Sequence, residues 1–268
     1  MSGTTPLRDP GALRSRLRAG GPLLGTFVKT PSLHVIEVLA LAPLDVVCLD
    51  QEHAPFGHVE LDACVAVARA LGLPTLVRVP GTAPEHIGRA LDLGATGVLV
   101  PHVDTPEQAR AAVAAARFAP DGTRGYAGSH RAAHYATRSI TTNLEAAAME
   151  VTVVVQIESP EAVAAVDAIA AVEGVDALFI GPVDLAVSMG ATSTDDPTVL
   201  AAVASVIDAG RRAGVPVGAF AGSPHAMQDL AARGATLLLA GSDHAAILDG
   251  MRRMRADLDG ADPGSGAA

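Results

Sequence analysis

Short apolar runs alternate with Ala-rich segments of helical period along almost the whole chain. The runs fall at 23–28, 45–50, 75–79, 97–101, 151–157, 177–180, 215–220 and 236–240. They are too short for buried helices and rich in β-branched residues, so each reads as a strand. Between them, segments such as 61–71, 106–116, 160–171, 199–213 and 224–233 space their apolar residues by three and four, which predicts helices. Gly72, Gly94, Gly174, Gly214 and Gly234 stand where a helix is expected to end in a left-handed cap. Strands that read as near-continuous apolar runs, each followed by a helix, predict a parallel sheet covered on both faces. The simplest such α/β fold with eight strands is a closed (β/α)8 TIM barrel. It is expected to fill 10–259 as one domain, with a flexible N-terminus at 1–9 and a flexible tail at 260–268. A doubly wound open sheet would call for a Gly-rich phosphate turn after its first strand, where this chain has Thr30-Pro31-Ser32. The longest connection, 118–150, carries a helix from Thr141 onward and reads as a lid or a subunit contact.

Composition narrows the partners. The chain has 268 residues, 49% of them hydrophobic and 3% aromatic with no Trp, so one large core of Ala, Val, Leu and Ile is expected and global disorder is excluded. A net charge of −10 repels nucleic acid and acidic lipid surfaces. No apolar stretch reaches a membrane span, and the start Met-Ser-Gly-Thr-Thr-Pro lacks the layout of a signal peptide. The only cysteines, Cys48 and Cys64, are too few for a disulfide scaffold, which predicts a cytoplasmic protein. Lys29 is the only lysine, so amine nucleophile chemistry has a single candidate.

Chemistry in a barrel of this kind gathers at the carboxyl ends of its strands. Collected there are Lys29, the stretch Asp50-Gln51-Glu52-His53, Arg78, His102, the stretch Gln156-Ile157-Glu158-Ser159, and Asp184. Glu158 and Asp184 follow neighbouring strands, within reach of one ion. Oxygen ligands favour Mg2+ or Mn2+, with Co2+ or Zn2+ as alternatives. They could equally be helix N-cap carboxylates. His53 is placed to act as a general base near neutral pH, or it is simply a loop histidine. Arg78, inside a strand, needs an anion: a protein carboxylate or that of a substrate. The other histidines show no zinc-like spacing, and Arg252, Arg253 and Arg255 read as the solvated face of a last helix.

Seven stretches together carry a resemblance that none carries alone. They are Asp50-Gln51-Glu52-His53-Ala54-Pro55, Val77-Arg78-Val79, Leu91-Asp92-Leu93-Gly94-Ala95, Val103-Asp104-Thr105-Pro106-Glu107-Gln108-Ala109, Gly122-Thr123-Arg124-Gly125, Gln156-Ile157-Glu158-Ser159 and Phe179-Ile180-Gly181-Pro182-Val183-Asp184-Leu185. In this order they resemble the HpcH/HpaI class II pyruvate aldolases, over about residues 25–241. The resemblance implies a divalent-metal-dependent lyase that splits 4-hydroxy-2-oxo acids into pyruvate and an aldehyde. Glu158 and Asp184 would hold the ion, Arg78 would contact the pyruvate oxygen, and Gln156 would line the substrate site. Backbone amides of Val183 and Asp184 would hold the carboxylate, and His53 would handle protons with Asp92 as its partner, across a subunit boundary. A homo-oligomer, a trimer of dimers with exchanged last helices, is implied too. The chain departs from the family pattern at Gln51, Val183 and Met189, where Gly, Ala and Leu are usual; these bear on aldehyde preference and site shape.

Three rivals remain at this level. The same scaffold could act on a citrate-like acid or a CoA ester, although no basic cluster near the mouth would hold CoA phosphates. A Schiff-base aldolase would use Lys29. A non-catalytic small-acid binding protein would keep Arg78 but need neither His53 nor both carboxylates.

Overall fold

The computed structural model describes residues 9–260. Within them eight parallel strands close into a barrel in sequence order: β1 (Leu23–Val28), β2 (Val46–Asp50), β3 (Thr75–Arg78), β4 (Gly97–Val100), β5 (Thr152–Ile157), β6 (Ala177–Ile180), β7 (Val217–Ala221) and β8 (Leu237–Ser242). Closure comes from β1 pairing with β8, where Leu23 faces Leu237. The expected strands are all present, β1 and β6 with the expected bounds and the others with ends shifted by one or two residues. Of the ends expected to be flexible, 1–8 and 261–268 lie outside the described residues; Asp9 caps the turn Pro10–Ala12 and Gly260 caps the last helix.

Period two along the strands sorts the core into two shells. On β2, Val46 and Cys48 point into the barrel, while Val47 and Leu49 face the helices. The interior stack also takes Phe27, Leu76, Leu99, Val154, Phe179 and Leu239. Gly25 is required there by space, since a Cβ would lie 2.6 Å from Leu239 Cδ2 and 2.7 Å from the Val46 carbonyl oxygen. The helix Leu13–Arg18 plugs the amino-terminal end with Leu13 and Leu17, both fully buried.

The helices Pro106–Ala116 and Pro224–Arg233 match their expected spans. The single helix expected over 160–171 is instead two, Pro160–Ala164 and Val166–Ala170, broken at Ala165, whose ψ of 2° leaves the helical range. All five predicted capping glycines have positive φ, from 68° at Gly72 and Gly214 to 113° at Gly234. The connection 118–150 leaves from the end of Pro106–Ala116 remote from the mouth and packs on the barrel flank. Arg124 bonds Asp92, and Arg131 bonds Asp62 and the Leu93 carbonyl. Within the chain it is therefore no lid over the mouth.

Candidate active site

The strand ends do what their spacing predicts: they bring the polar residues to one mouth. A cavity of about 160 Å³ is lined by Lys29, His53, Arg78, Gln156, Gly181, Pro182, Val183 and Asp184, with Phe27, Phe179 and Phe220 as its apolar floor.

Asp50, the last residue of β2, is fully buried and organises one side. Its carboxylate accepts from Arg78 Nε at 2.9 Å and Nη2 at 2.7 Å, and from Lys29 Nζ at 2.7 Å. The backbone N–H of His53 reaches it as well, at 3.1 Å. Burial would raise the Asp50 carboxyl, but the bonds and charge of Arg78, with Lys29 behind them, overcome it and hold the group at about 2. The same pairing outweighs burial at Arg78 and raises its guanidinium further. So the anion that Arg78 needs is a protein carboxylate. Its Nη1 has no protein acceptor among the described residues, and the guanidinium lies over the Phe27 ring, 4.7 Å from its centroid. Lys29, whose amine is the Schiff-base candidate, is held by Asp50.

Glu158 and Asp184 form the other side. Ser159 caps the helix Pro160–Ala164, accepting from Ala162 N at 3.0 Å, so Glu158 is not a cap. Asp184 lies in the first turn of Pro182–Ser188 and makes no cap bond either. The bare α-carbon of Gly181 lets the pair approach. A Cβ there would lie 2.9 Å from Gln156 Nε2, 3.1 Å from Asp184 Oδ2 and 3.5 Å from Glu158 Cβ. Burial pushes the Glu158 carboxyl up; the nearby His102 opposes this, while Asp184 and Glu52 add to it. Gln156 Nε2 donates to Glu158 Oε2, and Gln156 Oε1 is buried with no hydrogen-bond partner.

His53 sits exposed at the rim, its Nε2 3.8 Å from Glu52 Oε2. Asp92, its expected partner, lies elsewhere in the chain. The helix Pro84–Asp92 starts beside the mouth and ends away from it. There the Asp92 carboxylate lies 2.7 Å from Arg124 Nη2 and 3.3 Å from His130 Nε2. Any pairing of Asp92 with His53 has to come from a second copy.

Residues 23–249 match the family described as HpcH/HpaI aldolase/citrate lyase. The chain belongs to that family. It is 35% identical over 238 residues to 2-dehydro-3,6-dideoxy-6-sulfogluconate aldolase of Pseudomonas putida, which covers 88% of this chain and 92% of that one. It is 37% identical over 206 residues to hydroxypyruvate/pyruvate aldolase of Sagittula stellata, covering 76% and 81% of the two chains. Among solved structures, an HpcH/HpaI aldolase/citrate lyase family protein from Burkholderia cenocepacia superposes with a TM-score of 0.89 at 38% identity, covering 93% of this chain and 99% of that chain.

No cluster of three or more His, Cys, Asp or Glu side chains forms a complete cage among the described residues. What is present is a pair of adjacent carboxylates, Glu158 nearly buried, beside the orphaned amide oxygen of Gln156. An all-oxygen set of this kind fits a hard divalent cation that keeps open positions for water and substrate. One mouth residue, His102, had no assigned role in the sequence. It bridges Glu52 and Glu158. The only signal for it was its place after a strand, shared with every other residue of the site.

Proposed function

We propose that the protein is an aldolase-type carbon–carbon lyase that cleaves a 4-hydroxy-2-oxo acid to pyruvate and an aldehyde, and can run the reverse condensation. The observation that carries this reading is the shared cavity: in a chain of aldolase relatives, Arg78, Gln156, Asp184 and His53 face one space beside Glu158.

Cleavage moves the C3–C4 electron pair onto the pyruvate unit as an enolate while the C4 hydroxyl gives up its proton. Glu158 and Asp184 are assigned to hold a divalent ion, Mg2+ or Mn2+ by donor type, which when bound supplies Lewis-acid polarisation of the ketone oxygen. Arg78 is fixed by Asp50 and keeps Nη1 free to stabilise charge on that oxygen. Gly181 offers no side-chain cap to the next helix, so the amides of Val183 and Asp184 suit the substrate carboxylate. His53 takes the C4 hydroxyl proton, directly or through water. Phe27, Phe179 and Phe220 keep water from the enolate until C3 is protonated and pyruvate leaves.

We assign the working form to a homo-oligomer, a trimer of dimers. The last helix, Asp243–Asp259, does carry solvated arginines, but it also exposes Ile247, Leu248, Met251, Met254 and Leu258. A stripe of that kind suits a subunit contact. Asp92, half exposed in a recess of about 700 Å³, is the group a second copy would bring to His53. No helix among the described residues is long and apolar enough to cross a membrane. Both cysteines are buried and unpaired, which favours a cytoplasmic setting.

Chelation tests the assignment. Retro-aldol activity should fall at least about 10²-fold after chelation and return with Mg2+ or Mn2+. Full activity in the chelated protein, with borohydride trapping pyruvate on Lys29, would overturn it in favour of the Schiff-base route.

A further inference from the structure

Two nearly buried glutamates meet on one exposed imidazole at the mouth. His102, two residues past β4, has Nε2 2.8 Å from Glu52 Oε1 and Nδ1 3.0 Å from Glu158 Oε1. Its backbone N–H also donates to Glu158 Oε1, at 2.7 Å. The glutamate side chains are 9% and 5% exposed, whereas the imidazole is 63% exposed. The ring therefore adds little to the core. It lies as a strut between two loops, the one after β2 that carries His53 and the one after β5 that carries Glu158.

The backbone at His102 makes the same point from a separate direction. Its φ is +56°, in the left-handed region that only a few per cent of non-glycine residues adopt, His less rarely than most. Such a conformation persists only where the surroundings hold it. Here the holding contacts all run to Glu158 and Glu52. Glu158 is then pinned on both oxygens, by His102 at Oε1 and by Gln156 at Oε2. A carboxylate has about four acceptor positions, so these contacts orient it and still leave a lone pair for an ion.

We propose that His102 is a positioning residue: it fixes the Glu158 carboxylate beside Asp184, ties it to the Glu52–His53 loop, and thereby sets the affinity of the carboxylate pair for a divalent ion. The proposal rests on the reading of Glu158 and Asp184 as the ion-holding pair. Groups that orient a metal ligand without touching the metal typically govern 10- to 100-fold of its affinity.

The test is Mn2+ titration by calorimetry, with the Mn2+ paramagnetic resonance signal as a second readout and thermal melts beside both. It compares the full-length protein with its His102→Gly and His102→Asn variants. Glycine relieves the left-handed backbone and keeps the N–H to Glu158 while deleting only the ring. Asparagine tolerates that backbone and retains an amide that can reach one glutamate. His102→Gly should melt no lower than the parent yet bind Mn2+ about 10- to 100-fold more weakly, and His102→Asn should recover part of the loss. Parent-like Mn2+ affinity in His102→Gly overturns the proposal and leaves the aldolase reading standing. Weakened binding that only tracks a lower melting temperature, with no recovery in His102→Asn, makes the residue structural and overturns it too. If the parent itself takes up no Mn2+, the ion-pair reading falls, and this proposal with it.

Discussion

The two ends of the barrel treat buried charge in opposite ways. At the amino-terminal end one carboxylate, Asp176, serves three arginines: Arg14 Nε at 2.6 Å, Arg117 Nη2 at 2.9 Å and Arg18 Nη2 at 3.2 Å. The Val153 N–H bonds it as well, and Arg117 spends Nη1 on the Val151 carbonyl at 2.9 Å. This end has no cavity-facing donor to spare; the cluster clamps the N-terminal helix and the long connection onto β5 and β6. At the mouth the ratio is reversed. Asp50, Glu52, Glu158 and Asp184 face Arg78, Lys29 and the histidines, and buried oxygens of Glu52 and Gln156 lack hydrogen-bond partners. A buried network with its groups satisfied stabilises, while one left short is costly and suits a ligand that completes it. The amino-terminal end should therefore respond to mutation in stability and the mouth in activity.

The largest expected effect breaks the clamp. Asp176→Ala leaves Arg117 buried and unpaired and strands Arg14, so unfolding free energy in urea should fall by about 3–5 kcal/mol. The protein that remains folded at low temperature should keep its kcat/KM, because the cluster lies at the far end of the strands. A loss below about 1 kcal/mol, the worth of a surface ion pair, would show that the clamp is not structural.

Glu158→Gln sharpens the other side of the contrast. Burial raises the Glu158 carboxyl, with Asp184 and Glu52 adding to the effect against His102. A carboxyl raised in the folded state is destabilising once ionised, so its stability contribution is lost as pH rises through the folded value. The neutral amide should therefore melt at or above the parent temperature at neutral pH. It should also lose at least about 10²-fold in kcat/KM, or roughly 2.7 kcal/mol of transition-state stabilisation. A variant that is both less stable and fully active would reverse the roles assigned to the two ends.

What the sequence made legible follows the same division. Strands of a parallel barrel are buried on both faces, so they stand out as apolar runs, and the fold could be read directly. The apolar run predicts β7 two residues early because Val215 and Pro216 extend it; the Pro216 carbonyl accepts from Leu178 N at 3.0 Å, but the strand itself starts at Val217. The placement of Glu158, Asp184, Arg78 and His53 around one mouth was legible because the fold turns a strand end into an address. Contacts between distant segments were not. Arg14 and Asp176 are 162 positions apart, and the bond from His102 to Glu158 spans 56. The sequence leaves the anion facing Arg78 open, since a strand arginine implies an anion without naming it. The structure names Asp50, so Arg78 has a structural task beside the chemical one proposed for it.

That double task gives the smallest expected effect, and it comes from the mouth. Asp50 is held at about 2 against an ordinary 3.8, since Arg78 and Lys29 outweigh the burial that would raise it. For a carboxyl depressed in the folded state, the stabilisation is fully present above the unfolded value and is lost as pH falls through the folded one. The window is therefore about pH 4 down to about 2, and the loss should be roughly 2 kcal/mol. Unfolding free energies measured in urea across pH 2–6 for the parent and Asp50→Asn isolate it, because other acid-sensitive groups are common to both. The variant should be less stable than the parent at pH 6, and the gap should narrow as the parent is acidified through the window. Parallel curves would mean that the bonds from Arg78 and Lys29 contribute no net stability, and that Asp50 is kept at the mouth only to aim the guanidinium.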